Sequence, residues 1–83
     1  MSVEVILEQA RPRLSDGSRS MDVVANAWGK LEPLRALVSA DGTVRVLDPV
    51  AGHYTLVHRL SQAAQDSLRE IAADRPTQWI HRR

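Results

Sequence analysis

The sequence predicts a small single α+β domain, with a three- or four-stranded antiparallel sheet packed against two helices in the order β-α-β-β-β-α. Three observations predict it. Asp41-Gly42 lies between two apolar runs, the strongest short hairpin signal a sequence carries. Residues 21–32 and 62–74 repeat apolar positions with a helical period. Residues 3–8 and 53–59 read as short strands, the first rich in β-branched side chains.

Taken in order, VEVILE (3–8) puts Val3, Val5 and Leu7 on one face and Glu4, Ile6 and Glu8 on the other. A helix gathering Val3, Ile6, Leu7 and Ala10 competes; the strand is favoured. Pro12 lacks a ladder donor and interrupts, and residues 14–18 form a loop. The first helix is expected over 21–32, capped by Ser20, with Asp22 at the positive end of its dipole. Val24, Ala27, Trp28 and Leu31 share one of its faces, and Trp28 is expected to be the largest piece of an otherwise aliphatic core. Gly29 inside that helix costs about 1 kcal/mol against Ala. Pro33 closes the element by biasing Glu32 away from helical angles.

The hairpin is expected over Leu34–Leu47 with a two-residue type I′ turn at Asp41-Gly42. That loop fixes a register: Ala40 opposes Thr43, Val38 opposes Arg45, Leu37 opposes Val46, Ala36 opposes Leu47 and Arg35 opposes Asp48. Leu37, Val44 and Val46 then form the core side. Leu34, Ala36, Val38 and Leu47 make a second face that is unusually apolar for a wet sheet. Asp48 to Gly52 is a turn, and HYTLVHR is the third strand of the run. Ser61 caps the last helix, 62–74, which lines Leu60, Ala64, Leu68, Ile71 and Ala72 along one face. Pro76 ends it. Residues 1–75 are thus read as the domain and 76–83 as a basic and aromatic tail carrying Trp79, Ile80, Arg82 and Arg83.

Bulk properties narrow the function classes. Eighty-three residues hold one core. A chain of this size buries only about 60–65% of its unfolded surface, so a partner or a second copy would add stability. There is no cysteine, which excludes disulfides and thiolate metal sites. The first ten residues have two acids and no basic leader, and no apolar run approaches the ~20 residues of a membrane span. A cytoplasmic protein with no membrane role is expected. The net charge of +1 comes from the final Arg82-Arg83, which weakens a charge argument for nucleic acid.

No catalytic, metal or cofactor motif is present, so an enzyme is not expected. The leading expectation is a small non-enzymatic binding or regulatory protein acting through protein–protein contacts, self-association included. Its candidate interface is Leu34, Ala36, Val38, Leu47, Trp79 and Ile80, because apolar sheet surface and Trp are what interfaces use. The alternative is a nucleic-acid-binding regulator contacting phosphates with Arg11, Arg13, Arg45, Arg59, Arg82 and Arg83. Third comes a small ribonuclease using His53, Tyr54 and His58. On one strand, however, His53 and His58 point to opposite faces.

Overall fold

The stretch expected as the first helix is a pair of strands. In the computed structural model, which describes residues 4–56, 59–74 and 80–82, the elements are β1 (Val5–Ala10), β2 (Arg19–Ala27), β3 (Lys30–Val38), β4 (Val44–Asp48), β5 (His53–Leu56), α1 (Gln62–Ala72) and β6 (Ile80–Arg82). The sheet order is β5-β4-β3-β2-β1-β6. The first five strands pair antiparallel with their sequence neighbours, and β6 joins β1 in parallel. The expectation of two helices over three or four strands is therefore corrected. Among the described residues the fold is a sheet of five antiparallel strands, extended by the short parallel β6, with one short helix towards the C-terminal end.

Alternation explains the change. Met21, Val23, Ala25 and Ala27 are all buried, while Asp22, Val24 and Asn26 between them are only half-buried. That is the two-residue period of a strand. β2 is hydrogen-bonded on both sides, to β1 and to β3, and this outweighs any local helical preference. Trp28 and Gly29 form the turn, with φ of 50° and 84°, as a type I′ hairpin requires. Gly29 is a turn residue, and the cost it would impose on a helix never arises. Pro33 sits inside β3, opposite Val24, on a stretch that β4 does not reach. Counted from the closing pair Ala27–Lys30, Val24–Pro33 is a pair that exchanges no hydrogen bonds, so the missing N–H breaks no rung.

The second hairpin lies where expected but one residue out of register. Its loop is Ala40-Asp41-Gly42: Gly42 N donates to Ser39 O at 2.9 Å, Ser39 N donates to Thr43 O at 2.9 Å, and Gly42 has φ of 88°. This is the three-residue loop of a turn followed by a left-handed glycine, not a two-residue type I′ turn. Val38 therefore opposes Val44, Leu37 opposes Arg45 and Ala36 opposes Val46. A one-residue slip exchanges the faces. Ala36 and Val38 join Val44 and Val46 in the core, and Leu37 turns to the opposite face. The expected Arg35–Asp48 pair is absent as well. Arg35 pairs with Asp22 across β2 and β3, and Asp48 accepts from Val50 N and Ala51 N in its own turn.

α1 covers one face of the sheet. Ala64, Ser67, Leu68, Ile71 and Ala72 are buried against β1 to β4. Among the described residues the core holds no aromatic side chain, and Met21, not Trp28, is its largest fully buried side chain. Ser61 caps the helix as expected: its Oγ accepts from Ala64 N at 3.1 Å and donates to Glu4 Oε2 at 2.9 Å. The other end is held by arginines. Arg13 donates to Ala72 O at 2.6 Å, and Arg19 donates to Asp74 Oδ1 at 2.7 Å while also reaching the Ile71 and Ala72 carbonyls. Cations at the carbonyl end of a helix satisfy its orphan acceptors and complement its dipole. Arg69 adds a bond to Gly42 O at 2.7 Å in the β3–β4 loop.

Arg19→Ala should therefore loosen the docking of α1, with an expected loss of about 1.5–3 kcal/mol, the range for hydrogen bonds to charged groups. Thermal melting checks it. The midpoint should fall by roughly 4–8 °C for each kcal/mol lost at this chain length, and Arg19→Lys should recover only part. A midpoint within a degree of the parent would show that the helix end is held by something else.

Candidate functional site

The β2–β3 tip carries the most exposed aromatic side chain among the described residues. Trp28 is 81% exposed. Its backbone occupies the left-handed region, where a bulky non-glycine residue is strained. The backbone beneath it is fixed. Gly29 N donates to Asn26 Oδ1 at 3.0 Å, Trp28 N donates to Arg59 O at 3.2 Å, and Ala27 bridges to Leu60. A mobile loop tip would lack these ties. Here a large indole is displayed from a rigid base.

Beside the tip lies a cleft. α1 packs mainly on β1 to β4, so among the described residues the far side of β4 and the adjoining β5 are left largely open on that face. Val46 and Thr55 form the floor, Asp48-Pro49 one end, and Leu56, Arg59 and Trp28 the walls. Arg59 is held in place by Glu32 at 3.4 Å. Leu56 is 54% exposed. An apolar floor with Trp and Arg at the rim is the composition of a binding hot spot. None of these groups is a paired acid and base, and none activates a nucleophile.

Among the described residues, no helix covers the opposite face of the sheet. Val24 and Pro33 sit together on it, next to an ion cluster. Arg11 grips Asp22 through both guanidinium nitrogens at 3.2 and 2.7 Å, and Arg35 Nε reaches the same carboxylate at 2.9 Å. Hydrogen bonds from Arg11 and then Arg35 hold the Asp22 carboxyl below its ordinary value. Asp16, Asp41 and Asp48 are also lowered, Asp16 first by the Ser18 hydroxyl and the other two by backbone N–H groups of their own turns. A carboxylate with a depressed folded pKa contributes stability that is fully present above its unfolded pKa, near 3.9. That stability is lost as pH falls through the folded value. The urea midpoint should stay level from neutral pH down to about 5 and then decline through and below pH 4. Asp22→Asn should reduce stability at neutral pH and make the acid decline shallower. An unchanged slope would mean that the Arg11–Asp22–Arg35 cluster contributes nothing.

The residues singled out from sequence are not brought together. Ala36 and Val38 are 0% and 4% exposed beneath α1 and offer no surface; the register slip put them there. Leu34 is half-buried against the core, and Leu47 is half-buried at the cleft rim. Ile80 lies in β6, within the stretch read as a tail, and Trp79 lies outside the described residues. Arg11 and Arg45 bond on the open face, Arg45 to Ser39 Oγ at 3.0 Å; Arg13 holds the helix end and Arg59 meets Glu32. Arg82 is in β6, and Arg83 is outside the described residues. Arg11, Arg13, Arg45 and Arg59 are thus scattered over both faces, each with an acceptor in the chain. His53 is exposed and Tyr54 half-buried at the start of β5, pointing to opposite faces, while His58 falls outside the described residues. Among the described residues, no helix is long and apolar enough to cross a membrane.

The sequence did hold a signal for the Trp28 site. Trp28-Gly29 is a two-residue turn between alternating segments, and reading Gly29 as turn punctuation exposes Trp28 at once. Compared with known proteins, the chain matches no family model, no curated protein and no solved structure.

Proposed function

We propose that this chain is a small non-enzymatic binding protein that grips a protein partner with Trp28 and the cleft beside it. The observation that carries the reading is an indole 81% exposed in a strained backbone conformation on a fixed turn. Strain of order 1–3 kcal/mol persists where the surrounding structure imposes it and a function uses it. A buried apolar anchor with an adjacent arginine is how standard protein interfaces concentrate their binding energy. The cleft offers a partner side chain an apolar floor at Val46 and Thr55, and Arg59 offers a donor at its rim.

Quantitative affinity capture from the native host, with the parent and Trp28→Asn as parallel baits, tests this. One protein should be retained stoichiometrically by the parent and lost with Trp28→Asn, while Val50→Ser, altering an exposed side chain elsewhere, should retain it. Equal recovery on both Trp28 baits would defeat the reading.

A further inference from the structure

We propose that β5 is a self-pairing edge, through which two copies of the chain join antiparallel about a two-fold axis and merge their sheets. It rests on the strand edge and not on Trp28, although Thr55 and Leu56 also line the cleft of that reading. Among the described residues, β5 bonds to β4 alone, so its other side presents unpaired N–H and C=O groups. Natural sheets protect such edges with charge, proline or bulges. His53-Tyr54-Thr55-Leu56 contains no Lys, Arg, Asp, Glu or Pro, and its pairing with β4 runs without a bulge.

The strand is also complementary to itself. Tyr54 opposes Leu47 and Leu56 opposes Arg45, on the face away from α1, while Thr55 opposes the buried Val46. Antiparallel partners must share a face. Two copies of β5 satisfy this when Thr55 meets Thr55 of the second copy, which sets each Tyr54 against the other copy's Leu56. The pairing covers both half-exposed Leu56 side chains with aromatic rings. It places two hydroxyls side by side on the other face and brings no like charges together. A foreign strand could use the same backbone groups, but the symmetry of Tyr54 and Leu56 about Thr55 on an uncharged strand selects a second copy. The contact is small, so its dissociation constant belongs in the micromolar range or weaker.

Sedimentation equilibrium of the full chain, from dilute to millimolar, tests the proposal. The parent should show a monomer–dimer equilibrium. Thr55→Lys and Thr55→Glu each set like charges face to face and should raise the dissociation constant by about tenfold or more. An equimolar mixture of the two should restore dimers. Leu56→Asp, at an exposed position, should give the same loss without touching the core. Trp28→Asn should leave the dimer unchanged, which separates this result from the partner reading. The proposal is overturned by a parent that stays monomeric at millimolar concentration. It is equally overturned by folded Thr55 variants that dimerise like the parent, or by a mixture that stays monomeric.

Discussion

Trp28→Asn should make the protein more stable and worse at binding. The left-handed conformation at position 28, φ 50°, costs an ordinary side chain about 1–2 kcal/mol, and Asn tolerates it far better. Asn-Gly is also the preferred pair for a type I′ turn. Because the indole is 81% exposed, its removal forfeits little packing. A gain of about 1 kcal/mol, or roughly 4–8 °C in thermal midpoint, is expected. The same substitution should weaken the partner complex by about 2 kcal/mol or more, roughly thirtyfold, as truncation of a Trp anchor does. The opposite signs are the diagnostic. A midpoint several degrees below the parent would show that the indole supports the fold, and the binding role would lose its basis.

Leu68→Ala should come near to unfolding the domain. Leu68 is fully buried at the centre of the face that α1 packs on the sheet. Leu-to-Ala truncations at such sites cost about 2–5 kcal/mol, the larger values where the cavity cannot collapse. Collapse is hard here, because Ala25, Ala36 and Ala64 around the core have no side-chain length to move into the gap. A domain of this length has about 4–12 kcal/mol in all. Urea titration should show a midpoint reduced by a third or more with the slope unchanged, while Gln62→Ala on the exposed side of α1 stays within about 0.5 kcal/mol. A loss under 1 kcal/mol at Leu68 would mean that α1 does not seal the core.

Local signals in the sequence were good guides wherever the structure answered to local physics. Ser61 and the Leu60, Ala64, Leu68, Ile71 spacing located α1 and its buried face, and Asp41-Gly42 located a hairpin. Residues 19–38 failed because two periods coexist there. Met21, Val23, Ala25 and Ala27 satisfy a strand, while Val24, Ala27, Trp28 and Leu31 satisfy a helix. The choice falls to pairing with β1 and β3, which no window of the sequence contains. Loop length set the next error: Gly42 with φ of 88° closes a three-residue loop, and one residue of slip carried Ala36 and Val38 from the presumed interface into the core. The arginines were illegible for a different reason. Arg13 answers to the Ala72 carbonyl, more than fifty positions away, so a residue type suited to phosphates was read outward when it points to a helix end. Trp28 was misplaced by the rule that large aromatics lie inside, which a turn conformation overrides.

The position of α1 in chain order has a consequence for synthesis. All five antiparallel strands precede the helix, and each pairs with its immediate predecessor or successor. Such hairpins close quickly and can assemble as the chain emerges from the ribosome. Their apolar face, Met21, Val23, Ala36 and Val44 among it, then waits for its cover. At ordinary elongation rates the stretch from Leu56 to Ala72 takes about 1–3 s to appear, and an eleven-residue helix does not hold its shape before it docks. Until α1 docks, the nascent sheet is a half-built sandwich, an open aliphatic face that the helix then shuts.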